Sequence, residues 1–308
     1  MLNDDVGLWS FTRAKASNSS HDVVALVGSS RIQLGIDTQV FAQKTGITPI
    51  QLAIDGHPGL RILRHLADDR SFRGIVICEF MEKYAEVIER RQTELIPEEW
   101  VKKYEARSIF SEFEWRARMF GQQTFAFRLP ELSLRNLANA LRLRQYPMPP
   151  YIRTQPDRSK QADFTLGDIE KRRKNHASII EEEFRTSPSL SVPEYLKAST
   201  DLNDMVDQIS ARGGRVIFVR FPTSGKILEM EEARYPKRQY WDALAKEIKA
   251  PMIHFKEHSE LIGFECADGT HLDYKQAALF TEALAEILAR EGIVSSCCQS
   301  VSHSKAPR

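Results

Sequence analysis

The sequence predicts an α/β protein with a parallel central sheet that is covered by helices on both faces. Short apolar runs rich in β-branched residues recur along the chain, and segments with helical spacing lie between them. Continuous apolar sequence is typical of parallel strands, because both of their faces are buried. The alternation of such strands with helices indicates a doubly wound fold, in which functional residues gather beyond the carboxyl ends of the strands.

Three strands are predicted in the first part of the chain. Residues 22–28 (DVVALVG) form a run that ends at a glycine, and residues 49–54 (PIQLAI) form a run that an Asp-Gly pair follows. A helix is expected over 60–67, where leucines recur at three-residue spacing on one face. The third strand is predicted at 74–78 (GIVIC). Each of the three apolar strand runs has the length of a strand and is too short for an ordinary helix.

The last part of the chain repeats this alternation. Residues 200–211 are predicted as a helix that a Gly-Gly pair ends, and residues 215–221 (RVIFVRF) as a strand that a proline ends. The run 251–255 (PMIHF) is a weaker strand pattern. The final helix is expected over 273–290, where apolar residues form a stripe at helical spacing.

The segment between the third and fourth strands is far longer than a crossover connection needs. It is interpreted as a helical insertion at about 82–199, within a single domain that spans 22–293. Residues 1–21 are assigned to an N-terminal extension and residues 294–308 to a disordered tail. Helices of the insertion are predicted at 97–107, 130–144 and 165–185. The insertion is expected to form a cap over the strand ends.

Composition and charge exclude several classes of protein. The 43 lysines and arginines balance 42 aspartates and glutamates, so no global basic field favours a nucleic-acid partner. No apolar run approaches the ~20 residues of a membrane-spanning helix. The polar N-terminus lacks the apolar core of a signal peptide, which favours a cytoplasmic location for the sequence as it stands. The 4 cysteines, without CxxC or Cys/His spacing, support neither a disulfide scaffold nor a zinc ribbon.

A first candidate for chemistry, Gly28-Ser29-Ser30-Arg31, follows the first predicted strand. A serine at the point where a strand gives way to a helix directs its hydroxyl out of the sheet. It then lies near backbone N–H groups that have no intrahelical partner. The alternative is an ordinary tight turn with a helix N-cap, since glycine and serine favour both.

A second candidate, Asp268-Gly269-Thr270-His271, lies in the loop before the final helix. Three residues of separation across a turn can place a carboxylate beside an imidazole and so hold the imidazole in one tautomer. The alternative is an Asp-Gly turn with a surface histidine. If the sheet closes as predicted, Ser30, His271 and Asp268 meet at one edge as nucleophile, base and orienting group.

These blocks resemble those of the SGNH, or GDSL-like, hydrolase superfamily, whose members have a flavodoxin-like three-layer α/β/α fold and act on esters. The resemblance covers the sheet framework and not the insertion. It implies that Ser30 is the nucleophile of a catalytic triad with His271 and Asp268. It also implies that the backbone N–H groups of Gly56 and Ser30 hold the oxyanion, and that the reaction needs neither a metal nor a cofactor.

The chain departs from the family pattern after the third strand, where the family has an asparagine that donates to the oxyanion. Glu79 follows this strand here, and its charge would repel a developing oxyanion. The loss of one such donor typically lowers the rate ~10²–10³-fold. Either Arg31, Arg220 or a residue of the insertion replaces the donor, or the protein is a catalytically impaired scaffold or binding protein. Arg220 could instead bind an anionic sugar, or pack its stem at the strand end with its head in water.

The substrate expectation follows from the same resemblance. Ser29 in the middle of the first block, the missing asparagine and the large insertion are most similar to members that accompany polysaccharide O-acetylation or teichoic-acid D-alanylation. They imply an esterase or O-acetyltransferase that acts on an acylated carbohydrate or cell-envelope polymer, with a membrane-bound acyltransferase as a candidate partner. Such relatives usually stand on an N-terminal membrane anchor. A start site placed too late would hide one here, in which case the expected location is periplasmic or membrane-anchored. The oligomeric state is not predicted.

Overall fold

A computed structural model describes residues 3–17, 23–90, 94–124, 142 and 151–295. Within these residues, five strands form a parallel central sheet and two strands form a separate antiparallel ribbon in the insertion. In chain order, the strands are β1 (Val24–Val27), β2 (Ile50–Gln51), β3 (Ile75–Glu79), β4 (Ile152–Thr154), β5 (Lys160–Ala162), β6 (Arg215–Arg220) and β7 (Met252–His254). Strands β4 and β5 form the ribbon.

The central sheet has the strand order β2-β1-β3-β6-β7, and every neighbouring pair is parallel. Numbered among themselves, these strands run 2-1-3-4-5, which is a common doubly wound order. The order changes direction at β1, so a crevice opens beyond the carboxyl ends of β1 and β3. Ligands bind at this kind of position in open α/β sheets. The predicted α/β class with a parallel central sheet is confirmed.

All five predicted strands of the central sheet are present. The second strand shows the largest difference in length, because only Ile50 and Gln51 form ladder pairs. The chain nevertheless continues along β1, since the N–H of Leu52 donates to Leu26 and the N–H of Ile54 donates to Gly28. These bonds extend to the Asp-Gly turn that follows the predicted run.

The helices pack on both faces of the sheet and fill the insertion. In chain order they are α1 (Val6–Ser17), α2 (Ser30–Gly35), α3 (Thr38–Thr45), α4 (Leu60–Asp68), α5 (Tyr84–Glu89), α6 (Leu95–Glu105), α7 (Ile109–Thr124), α8 (Ile169–Thr186), α9 (Val192–Leu196), α10 (Ala198–Ser210), α11 (Gly225–Arg234), α12 (Trp241–Glu247), α13 (Ser259–Ile262) and α14 (Tyr274–Arg290). Short 3₁₀ helices lie at Phe164–Leu166 and Phe255–Glu257. None of the helices in the described ranges is both long enough and apolar enough to span a membrane.

Most predicted helices correspond to observed ones. The predictions at 60–67, 200–211 and 273–290 correspond to α4, α10 and α14, and those at 97–107 and 165–185 correspond to α6 and α8. The helix predicted at 130–144 lies outside the described residues except for residue 142, as does the predicted tail except for residues 294 and 295.

The side chains of each strand alternate between two apolar layers. In β1, Val24 and Leu26 face a layer with α2, α3 and α14, whereas Ala25 and Val27 face a layer with α4, α10 and α12. All four side chains are fully buried. Burial on both faces explains why the strands have continuous apolar sequence rather than alternating polarity.

The N-terminal extension contains a helix, α1, that the sequence analysis did not predict. Trp9 of α1 is fully buried and donates its indole N–H to the carbonyl of Leu52 at 3.0 Å. Its ring also packs against Trp100 and Tyr104 of α6. Helix α1 therefore covers the exposed end of the sheet beside β2 and joins it to the insertion.

The insertion is held against the carboxyl edge of the sheet by polar contacts. Arg173 of α8 donates to the carbonyl of Ala267 at 2.8 Å, and Lys226 of α11 donates to Glu181 of α8 at 2.7 Å. These contacts place α8 over the loop that precedes α14. One wall of the crevice is thus formed by the insertion.

Candidate active site

Ser30 is presented by a tight turn between β1 and α2. The turn passes through Gly28, which has a φ of +146° and whose missing Cβ would lie 2.6 Å from the Cβ of Glu79. Only glycine permits this backbone conformation and this close approach together. Ser29 then caps α2, since its Oγ accepts from the N–H of Arg31 at 3.3 Å. Ser30 is the first residue of α2, so its side chain lies at the carboxyl edge of the sheet.

The structure brings Ser30, His271 and Asp268 together in one hydrogen-bonded chain. His271 Nε2 lies 2.8 Å from Ser30 Oγ, and His271 Nδ1 lies 2.9 Å from Asp268 Oδ2. The first contact joins residues that are 241 positions apart in the sequence. Because a carboxylate oxygen only accepts hydrogen bonds, the proton of the neutral imidazole belongs on Nδ1, and Nε2 is free to accept from the serine.

The loop that carries Asp268 and His271 is organised by the second oxygen of the same carboxylate. Asp268 Oδ1 accepts from the N–H of His271 at 2.8 Å, the N–H of Thr270 at 3.0 Å and the hydroxyl of Thr270 at 3.1 Å. Burial by itself would raise the pKa of Asp268. The hydrogen bond and charge of His271 and the N–H of Thr270 outweigh burial and hold this pKa well below its usual range. Asp268 is therefore ionised at neutral pH.

A cavity of about 250 Å³ opens beside the serine. Ser30, His271 and Gly56 all line it, and Gly56 belongs to the turn after β2, where its φ is +75°. The opposite wall comes from α8, through residues that include Ile179 and Ile180. The cavity therefore contains a polar side from the sheet edge and a partly apolar side from the insertion.

Glu79 is buried beneath the turn rather than directed into the cavity. It is fully buried and accepts from the N–H of Ser29 at 2.7 Å, from the hydroxyl of Ser29 at 2.8 Å and from the hydroxyl of Tyr84 at 2.9 Å. From the sequence, this carboxylate was expected to lie at the oxyanion site, where the family has a donor, and to repel the oxyanion. The structure gives it a different position, in which it holds the turn that carries Ser30.

Ser29 and Arg31 both line the cavity, yet their polar groups are largely engaged below it. The N–H and hydroxyl of Ser29 bind Glu79. Arg31 donates to Glu231 at 3.3 Å, contacts the sulfur of Met81 and has its Nη1 3.9 Å from Glu79. Arg31 Nε is buried and has no hydrogen-bond partner within the described residues.

Arg220 lies outside the cavity, in an internal ion-pair network. Its guanidinium donates to Glu82 at 3.0 Å, to Glu231 at 2.7 Å and to the carbonyl of Phe221 at 2.8 Å. The side chain is 3% exposed. The expectations of an anionic sugar ligand, an oxyanion contact or a head in water are therefore wrong for Arg220, because two buried carboxylates already compensate its charge.

Two functional candidates were missed by the sequence analysis. His176 of α8 lines the cavity, with its Nδ1 3.2 Å from Thr270 Oγ1 and 3.4 Å from Asp268 Oδ2. Thr270 also lines the cavity and bridges this imidazole to the carboxylate. The helical spacing of the residues on this face of α8 is visible in the sequence; they are His176, Ile179, Ile180 and Glu183. The spacing alone does not show what that face covers.

Among the described residues, one cluster has the spacing of a metal site. It consists of His176, Asp268 and His271, whose possible ligand atoms lie within 4.8 Å of one another. A metal there would have to displace the proton that joins His271 Nδ1 to Asp268 at 2.9 Å. The hydrogen bonds of this cluster fit a proton-transfer role directly.

The arrangement as a whole combines a hydroxyl, an imidazole that accepts its proton and an ionised carboxylate that stabilises the resulting imidazolium. All three groups lie at the edge of a cavity that can hold part of a substrate. The chain matches no model of a known protein family and no curated protein sequence.

Proposed function

We propose that the protein is an SGNH-like serine esterase or O-acyltransferase. The observation that carries this proposal is the hydrogen-bonded chain in which His271 Nε2 lies 2.8 Å from Ser30 Oγ and His271 Nδ1 lies 2.9 Å from Asp268 Oδ2. Nucleophilic acyl transfer requires a hydroxyl, a base and an orienting acid in this geometry. The adjoining cavity supplies space for the ester.

In the proposed reaction, Ser30 Oγ attacks the carbonyl carbon of the ester while its proton passes to His271 Nε2. The tetrahedral intermediate then collapses, the alcohol leaves with the proton from His271, and the acyl group remains on Ser30. Water repeats these steps to release the acid, whereas a second alcohol would form a new ester. Asp268 keeps His271 in the required tautomer and stabilises the imidazolium in both halves of the reaction.

The oxyanion donors that we propose are the backbone N–H groups of Gly56 and Ser30. Gly56 lines the same cavity as Ser30, and Ser30 lies in the first turn of α2, where N–H groups have no intrahelical acceptor. The N–H of Ser29 is not available, since it binds Glu79. A site without a third donor is expected to turn over ~10²–10³-fold more slowly than a three-donor site.

The proposed membership of the SGNH superfamily is supported by three placements. The strand order is 2-1-3-4-5 within the central sheet, the serine follows β1, and the Asp-x-x-His block precedes α14. The proposed substrate is an acylated carbohydrate or cell-envelope polymer, handled together with a membrane-bound acyltransferase. A periplasmic or membrane-anchored location suits that substrate. These points rest on analogy with the family.

The test of the proposed function is the substitution Ser30→Ala in purified protein, assayed with 4-nitrophenyl acetate. Removal of the nucleophile should lower kcat by at least ~10³-fold, as expected when a residue of a triad is lost. Ser210→Ala is a matched control, because Ser210 is exposed at the end of α10, away from the cavity. An unchanged rate in the Ser30→Ala protein would refute the assignment.

A second candidate function is a scaffold or binding protein that keeps the fold without efficient chemistry. Glu79 favours this candidate, because it stands where the family has an oxyanion donor and occupies the N–H of Ser29. Under this alternative the wild-type and Ser30→Ala proteins would show the same background hydrolysis. The same assay therefore separates the two candidates.

A further inference from the structure

One face of the insertion helix α8 faces the proposed nucleophile across the cavity. His176, Ile179, Ile180 and Glu183 of this helix line the cavity together with Ser30. These residues lie three, four and seven positions after the first of them, and this spacing places the four side chains on one helical face. The insertion thus contributes an imidazole to a site whose other groups come from the sheet edge.

The hydrogen bonds of His176 determine its tautomer. Its Nδ1 lies 3.4 Å from Asp268 Oδ2, a carboxylate oxygen that can only accept. The same nitrogen lies 3.2 Å from Thr270 Oγ1, whose own proton is directed to Asp268 Oδ1 at 3.1 Å. The Nδ1 of His176 therefore carries the proton of the neutral ring, and its Nε2 carries a lone pair.

The lone pair on Nε2 is available to a ligand. No residue in the described part of the chain forms a hydrogen bond with His176 Nε2, and the side chain is 23% exposed where it lines the cavity. Burial lowers the pKa of His176, and the charges of Arg172 and Arg31 and a proton on His271 act in the same direction against the charge of Asp268. A neutral imidazole of this kind accepts a hydrogen bond from a hydroxyl group.

The position of His176 indicates which half of an ester it would meet. In the proposed reaction His271 delivers its proton to the leaving oxygen, so the alcohol half must lie beside His271. The ring of His176 is next to the ring of His271, with centroids 5.6 Å apart. Gly56, a proposed oxyanion donor, marks the side where the carbonyl oxygen would lie.

We propose that His176 Nε2 accepts a hydrogen bond from a second hydroxyl of the alcohol, so that the site prefers esters of polyhydroxylic alcohols, such as sugars or glycerol, over esters of simple alcohols. This inference rests on the proposed esterase or acyltransferase function. It assigns a substrate-binding role to a residue of the insertion and gives the insertion a chemical reason for lying over the site.

The experiment compares glycerol monoacetate with ethyl acetate, two esters with the same acyl group, by measuring kcat/KM for each. His176→Asn removes Nε2 but keeps a donor near the position of Nδ1, so the contacts with Thr270 and Asp268 can persist. His176→Gln reaches further and restores a polar group near the position of Nε2. The wild-type protein should prefer glycerol monoacetate, and His176→Asn should lower the ratio of the two kcat/KM values about tenfold, the value of one hydrogen bond. His176→Gln should restore part of the ratio.

The outcomes separate this inference from the function on which it rests. If the ratio of the two kcat/KM values is unchanged in His176→Asn, whether or not both values fall, His176 acts at most through Asp268 and the inference is overturned. The same holds if His176→Gln gives the same ratio as His176→Asn. If the wild-type protein shows no Ser30-dependent turnover of either ester, the proposed function fails, and the inference fails with it.

Discussion

The substitution Asp268→Asn tests the orienting role of the carboxylate without removing the loop contacts that the carboxylate makes. Asp268 Oδ1 accepts from the N–H groups of His271 and Thr270 at 2.8 and 3.0 Å, and an asparagine Oδ1 can keep both bonds. The substitution changes only the second carboxylate atom, Oδ2. This atom is an acceptor that lies 2.9 Å from His271 Nδ1, and the substitution replaces it with an amide N–H donor. The imidazole must then carry its proton on Nε2, where it can no longer accept the proton of Ser30.

We therefore expect Asp268→Asn to lower kcat by ~10⁴-fold, the effect of holding the triad imidazole in the wrong tautomer. Its free energy of unfolding should fall by no more than about 2 kcal/mol, since the remaining hydrogen bonds persist. Asp268→Ala is the comparison variant, because it removes the acceptor of both N–H groups and should lose about 1–3 kcal/mol more for each group that stays buried. The assays are 4-nitrophenyl acetate turnover and urea unfolding. An Asp268→Asn rate within tenfold of the wild type would refute the orienting role.

Three further predictions concern the buried network, the pH dependence of stability and metals. Glu79→Leu should lower the free energy of unfolding in urea by about 3–5 kcal/mol, because it leaves the N–H and hydroxyl of Ser29 and the hydroxyl of Tyr84 without their acceptor, at about 1–3 kcal/mol for each buried group; a loss below about 1 kcal/mol would contradict this. Burial lowers the pKa of His254 to about 2 in the folded protein, whereas the ordinary pKa of histidine is about 6.5. Between these two pH values only the unfolded chain binds this proton, so the free energy of unfolding decreases as the pH is lowered. His254→Asn, which keeps an acceptor for the N–H of Lys256, should reduce that slope by about 1.4 kcal/mol per pH unit between about pH 6 and 4, and an identical slope in both proteins would be inconsistent with this. EDTA should leave ester turnover unchanged, and activity that is lost in EDTA and restored by zinc would show instead that the His-Asp-His cluster is a metal centre.

The framework of the fold could be predicted because burial on both faces of a sheet leaves a direct trace in the sequence. The strands β1, β3 and β6 are continuous apolar runs, and each is present near its predicted position. Parallel connectivity then brings their carboxyl ends to one edge. For this reason, residues as distant as Ser30 and His271 could be expected to meet, and they lie 2.8 Å apart.

The contribution of the insertion could not be predicted in the same way. Helix α8 is rich in charged residues of both signs, and its sequence reads as a solvated helix with no indication of what it covers. Its position depends on contacts such as Arg173 with the carbonyl of Ala267 and Lys83 with Glu183. Partners of exposed charges are not specified by local sequence pattern. His176 was therefore missed, although its helical spacing was visible.

Glu79 shows a different limit of sequence reasoning. The sequence correctly placed it at the carboxyl end of β3, although it is the last residue of that strand rather than the residue after it. The direction of its side chain depends on tertiary contacts. The missing side chain at Gly28 leaves room for the carboxylate beneath the turn, where Ser29 and Tyr84 donate to it. The residue that was expected to oppose catalysis thus supports the turn that carries Ser30.

The claim that Ser30 is an activated nucleophile is tested by covalent labelling of the intact protein with a fluorophosphonate, with the modified residue mapped by mass spectrometry. We predict a single stoichiometric adduct on Ser30, absent from Ser30→Ala and formed at least ~100-fold more slowly in His271→Ala, because the imidazole no longer takes the serine proton. A folded wild-type protein that carries no adduct on Ser30, or that reacts as fast without His271 as with it, would contradict the claim.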